Sequence, residues 1–67
     1  MKYNYNKLRG KIKEHFGTQE KFANALGISD TSLTKKLNNI VFFNQNEMKN
    51  AKELLNLENI DEYFFTF

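Results

Sequence analysis

The residues best suited to chemistry fall in one short stretch, Asp30-Thr31-Ser32-Leu33-Thr34-Lys35-Lys36-Leu37-Asn38. Wound as a helix at about 100° per residue with Leu33 and Leu37 inward, it directs Thr31, Thr34, Lys35 and Asn38 outward and carries Ser32 and Lys36 on the flank. Short hydroxyls, a carboxamide and ammonium groups, with no large apolar group among them, suit base edges and phosphates. An ordinary solvated helix face has the same composition, so the preceding segment decides between the two. Asp30 stands apart. It can only accept, which points to the amino group of cytosine, and it equally suits the positive end of a helix dipole.

The preceding segment is Thr18-Gln19-Glu20-Lys21-Phe22-Ala23-Asn24-Ala25-Leu26-Gly27-Ile28-Ser29. Ala23 is small where two helices must cross closely, Gly27 makes a tight turn four residues later, and Leu33 returns to the core six beyond that. A helix-turn-helix needs these types, because its second helix must pack on the first and still protrude into a major groove. Many helical hairpins share a glycine turn. Joined to the polar outer face of 30–38, the skeleton favours a DNA-reading helix over a merely solvated one.

The elements that would position this motif read as five short helices and no strand, an all-α fold. A first helix starts near Asn4 or Asn6 as cap, buries Leu8 and Ile12, and ends at Phe16-Gly17. The second, over 19–26 behind Thr18, turns Phe22, Ala23 and Leu26 inward; the third, over about 30–37, follows Ser29. Ile40 to Phe43 reads as a loop packed on the core. Asn44 opens a fourth helix with Glu47 placed for a capping box, and Met48, Ala51 and Leu55 form its inner stripe before Leu57. Asn59 with Glu62 repeats the pattern for a last helix bearing Ile60, Tyr63 and Phe64.

With 67 residues there is room for one domain, and a chain this short buries only about 60% of its unfolded surface. The absence of cysteine excludes disulfides and thiolate metal sites, and a lone His15, read as a helix-end histidine, cannot hold zinc. No metal, cofactor or small-molecule substrate is expected. No catalytic motif or Gly-rich phosphate loop occurs, so enzyme readings drop out. Residues 1–37 carry eight Lys/Arg against three acids, a balance of +5, whereas 38–67 carry two lysines against five acids, −3. Such asymmetry fits a face meant for phosphate or arises by chance in a Lys- and Asn-rich chain. No apolar run approaches the roughly 20 residues of a membrane span, and the N-terminus lacks an apolar signal region, which places the protein in the cytoplasm.

Ten aromatic residues exceed what so small a core can hold. Val41, Phe42, Phe43, Phe65 and Phe67 are therefore candidates for a dimer or partner surface, with one of Phe42 and Phe43 expected to plug the loop into the core.

Over residues 4–66 the chain resembles the helix-turn-helix proteins of the Cro/CI (XRE-like) superfamily, above all the short phage-encoded Cro-like repressors and modulators of Gram-positive bacteria. The resemblance rests on Leu8-Arg9-Gly10, Phe16-Gly17-Thr18-Gln19 and Phe22-Ala23-Asn24-Ala25-Leu26-Gly27-Ile28-Ser29. Ser32-Leu33-Thr34-Lys35-Lys36-Leu37-Asn38-Asn39 and Glu62-Tyr63-Phe64-Phe65 complete it. It implies a lambda-repressor-like domain that binds an operator in double-stranded DNA as a homodimer, or as a heterodimer with a related repressor, in a bacterial cytoplasm. Gln19 would contact a phosphate and brace the recognition helix. Asp30, Thr31, Thr34 and Lys35 would face base edges, and Ser32, Lys36, Asn38 and Asn39 would lie near the DNA backbone. Many members have an apolar residue where Lys36 stands and a polar one where Leu37 stands, so the third helix is rolled relative to theirs. Three readings follow: a sequence-specific transcriptional regulator, a modulator that pairs with another repressor's DNA-binding domain, and a non-specific nucleic-acid binder.

Overall fold

Leu8 and Ile12 lie one turn apart on α1 (Asn6–Phe16), and both are buried. This pair seats α1 on α2 (Gln19–Leu26), whose Phe22 and Ala23 have no exposed surface. α2 packs against α1, α3 (Asp30–Leu37) and α4 (Gln45–Leu54), while the single turn α5 (Asp61–Phe64) packs on α1. Ala23 allows the crossings because a methyl group keeps neighbouring backbones close. The computed structural model describes residues 2–67, and among them there are five helices and no strand.

Local chemistry fixes the ends of these helices. Thr18 accepts from the Lys21 amide and Ser29 from the Ser32 amide, each satisfying an otherwise orphaned helix donor. At Asn44 both halves of a capping box form, Glu47 N to Asn44 Oδ1 at 2.8 Å and Asn44 N to Glu47 Oε1 at 3.0 Å. Gly17 and Gly27 close α1 and α2 at φ 79° and 85°, where a side chain would be strained. The expected cap of α1 differs in detail. Tyr5 occupies the cap position without a side-chain bond, and Asn4 accepts from the Asn6 amide. At α5, Asn59 accepts from Glu62 N, but the Glu62 carboxylate turns to Lys7 at 2.9 Å instead of returning to the cap.

Two tyrosines complete the core. Tyr5 is buried edge-on against Phe43 and Phe64, ring centroids 5.5 and 6.5 Å away. Tyr3 lies between the loop and the C-terminal tail, and Asn4 N donates to Thr66 O, so both ends of the chain are joined beside α3.

Candidate interaction site

Leu33 and Leu37 anchor α3 in the core, and their spacing leaves Asp30, Thr31, Thr34, Lys35 and Asn38 exposed, with Ser32 half-buried. The Gln19 carboxamide, at the start of α2, donates to Asp30 Oδ1 at 3.2 Å and to Thr34 Oγ1 at 2.7 Å. Three side chains on two helices thus form one network on the outer face. It holds the helix pair in register and orients the Asp30 carboxylate and the Thr34 hydroxyl.

The placement of Lys36 corrects the sequence expectation of a phosphate contact. Lys36 is 9% exposed. Its ammonium lies 3.0 Å from Glu47 Oε1 and donates to the Phe42 carbonyl at 3.1 Å, with the Phe43 ring beneath it at 6.0 Å. A buried cation needs partners for its protons. Glu47, already held by the cap of α4, supplies one. Asn39 is likewise engaged: at φ 64° it turns the chain out of α3, and its carboxamide bonds the backbone of Tyr3. Arg9, to which the sequence assigned no role, reaches Leu37 O at 3.3 Å and Asn38 Oδ1 at 3.1 Å. Its position three residues before Ile12 gave no sign of a partner on α3.

The basic N-terminal half is consequently less free than its composition implies. Of its eight cations, Lys7 pairs with Glu62, Lys11 with Glu14 and Lys36 with Glu47, while Arg9 is bonded to the end of α3. The Lys7 ammonium is held above its ordinary pKa by the hydrogen bond and charge of Glu62.

A second surface adjoins the end of α3. Ile40, Val41, Phe42, Phe65 and Phe67 are exposed. Phe43, expected among the partner-facing aromatics, is instead buried, edge-on to Tyr5 and Phe64, because the loop needs one ring to seat it on the core. Tyr3 joins the exposed rings into a plate. It stacks on Phe67 at 5.0 Å and 26°, and meets Phe65 and Phe42 edge-on at 5.8 and 6.4 Å. Beneath lies a cavity of about 230 Å³ walled by Tyr3, Tyr5, Phe42, Met48, Phe64 and Phe65. Burial raises the Tyr5 pKa, with the nearby Tyr3 adding to it. Tyr3 and Tyr5 sit among polar neighbours in the sequence, so no periodicity marked them.

Among the described residues no group of three or more His, Asp or Glu could hold a metal ion, and no helix is long and apolar enough to cross a membrane. A family model described as "Protein of unknown function (DUF739)" matches residues 1–67, and the chain belongs to that family. No curated protein matches it. Among solved structures it is similar to the solution structure of the modulator of repression (MOR) of the temperate bacteriophage TP901-1 from Lactococcus lactis. The two share 42% sequence identity with a TM-score of 0.82, over 97% of this chain and 90% of that chain.

Proposed function

We propose that this member of the DUF739 family is a non-enzymatic phage-type regulator that modulates a repressor by binding the repressor protein. The likeness to a modulator of repression, in both fold and sequence over nearly the whole chain, is the observation that carries this reading. On this reading residues 1–67 act as one domain, in the cytoplasm of a bacterial host, with a helix-turn-helix over about 18–38 of the Cro/CI type.

Surface chemistry supports a protein partner ahead of DNA. DNA affinity grows with the number of phosphates that free cations neutralise. Four of the eight cations in the basic half are already engaged, and Glu20 and Asp30 stand exposed at the starts of α2 and α3. Immediately after α3 come the exposed apolar side chains of Ile40, Val41 and Phe42, which gain nothing from a phosphate backbone. A second reading, sequence-specific operator binding by this chain alone, is favoured by one observation: Thr31, Thr34 and Lys35 on α3, with Asn38 at its C-terminal cap, form an exposed polar face.

Retention of an operator duplex by its cognate repressor, measured with increasing amounts of this protein, separates the two. A modulator changes the repressor's operator binding at concentrations where it does not itself shift the duplex. Specific retention of the operator by this protein alone, with the repressor's own binding unaltered, establishes the second reading instead.

A further inference from the structure

We propose that the cavity enclosed by Tyr3, Tyr5, Phe43, Met48 and Phe64 binds a small neutral aromatic molecule, which accepts a hydrogen bond from the Tyr5 hydroxyl. This ligand site goes beyond the repressor-binding reading above and does not depend on it.

Buried rings form the floor of this cavity. Tyr5, Phe43 and Phe64 meet one another edge to face, with centroids 5.5, 6.5 and 5.1 Å apart, and the half-buried Tyr3 and Met48 complete the walls. Edge-to-face packing turns ring faces and ring edges toward the same space, and a flat π system satisfies both by stacking and edge contact. The Met48 thioether adds a polarisable atom that suits a ring edge. Volume limits the occupant. An engineered apolar cavity of about 150 Å³ takes up benzene. At about 230 Å³ this one has room for a substituted ring or two fused rings.

Tyr5 gives the site its polarity. Its residue is only 5% exposed, yet its hydroxyl makes no hydrogen bond among the described residues. A buried phenol usually finds a partner, because leaving the group unpaired is costly. No side-chain polar atom among the described residues is both sealed from solvent and unpartnered, so the Tyr5 hydroxyl keeps an opening, and the cavity is the space that Tyr5 lines. Burial raises its pKa, so at neutral pH the hydroxyl retains its proton and donates. Among the described residues no charged side chain lines the cavity. The Lys36 ammonium, 6.0 Å from the Phe43 ring, is engaged by Glu47 and by the Phe42 carbonyl. A charged ligand would lose its hydration here without gaining a counter-ion, which restricts the site to neutral molecules.

The test titrates quinoline, a neutral fused-ring probe with one ring nitrogen as acceptor, into the full chain at neutral pH. Binding is followed by NMR on the backbone amides and the Met48 methyl group. Saturable shifts are expected at Tyr3, Tyr5, Phe43, Met48 and Phe64, at millimolar quinoline or below. Tyr5→Phe keeps the ring and removes only the hydroxyl. Shown to be folded by the same spectra, it should bind about fivefold more weakly, the loss of one net hydrogen bond. No saturable shift up to the solubility limit of quinoline overturns the proposal, as does equal affinity in Tyr5→Phe. Shifts confined to Ile40, Val41 and Phe67 mean adsorption on exposed apolar surface and also overturn it. Shifts at the cavity residues that follow protein concentration without quinoline make a side chain of a second copy the occupant instead.

Discussion

Asn39 and Tyr3 hold each other by two hydrogen bonds across 36 residues of sequence: Tyr3 N donates to Asn39 Oδ1 at 2.8 Å, and Asn39 Nδ2 donates to Tyr3 O at 3.0 Å. A carboxamide presents a donor and an acceptor side by side, as an adjacent strand would, so one side chain clamps an arm that has no sheet to join. Asn also tolerates the left-handed turn at this position. The same residue turns the chain out of α3 and fixes the Tyr3 ring.

Asn39→Gly separates those two duties, because glycine keeps the turn and removes both bonds. Two partly buried hydrogen bonds contribute about 1–2 kcal/mol. Urea unfolding followed by circular dichroism should fall by that amount with the helical signal unchanged. In NMR spectra the Tyr3 ring protons should lose the shifts caused by Phe67 and Phe65. An unchanged Tyr3 environment would show that ring stacking alone holds the arm.

The Lys36–Glu47 pair is nearly inaccessible, with side chains 11% and 12% exposed. Removing one partner leaves a charge without its counter-ion, so Lys36→Met should cost about 3 kcal/mol in urea unfolding. Glu47→Gln keeps a group able to cap Asn44, and the double variant Lys36→Met/Glu47→Gln should recover to within about 1 kcal/mol of the wild type. A double variant as unstable as the single one would show that the pair is not the source of the loss.

These two residues also mark where sequence reasoning succeeds and where it stops. The bounds of α2 and α3 were legible because Thr18, Gly27 and Ser29 act on amides and carbonyls within four residues of themselves. The box at Asn44 was legible for the same reason, and the apolar spacing of Leu33 and Leu37 set which side of α3 faces the core. Lys36 was not legible as a core residue, since its burial depends on a carboxylate eleven positions away on another helix. Tyr3 and Tyr5 stand in the polar run Lys2-Tyr3-Asn4-Tyr5-Asn6 and become core only through Asn39, Phe43 and Phe64. Of the aromatic residues expected to be surplus, Phe42, Phe65 and Phe67 are exposed, and Phe43 is the ring the loop needed.

Stability should decline above pH 10, and Tyr5 gives the sign. Its pKa in the folded protein lies above the ordinary value of 10.0 because burial disfavours the phenolate. Above that value the unfolded chain releases the proton while the folded chain retains it, so unfolding is increasingly favoured as pH rises. Lys7 acts in the same direction: its raised pKa means that its contribution, present below 10.5, is lost as pH climbs through the folded value. Tyr5→Phe should therefore be close to neutral at pH 7 and lose less stability than the wild type between pH 9.5 and 11. Parallel losses in the two proteins over that range would assign the alkaline effect elsewhere.

DNA binding by the isolated chain provides the sharpest contrast between the two functional readings. Four cations of the basic half, Lys2, Lys13, Lys21 and Lys35, make no ion pair among the described residues. If all four met phosphates, the logarithm of affinity for a random duplex would fall against the logarithm of salt with a slope of about −3.6, at roughly 0.9 per contact. A repressor-binding modulator should show that slope or a shallower one. Lys35→Ala should reduce the slope by about one and weaken operator and random duplex equally, since only a base contact discriminates between them. The comparison needs only fluorescence anisotropy at four or five salt concentrations, with each variant on both duplexes. A selective loss on the operator, roughly 1–3 kcal/mol larger than on random DNA, would make Lys35 a base reader and restore operator recognition by α3 as the primary function.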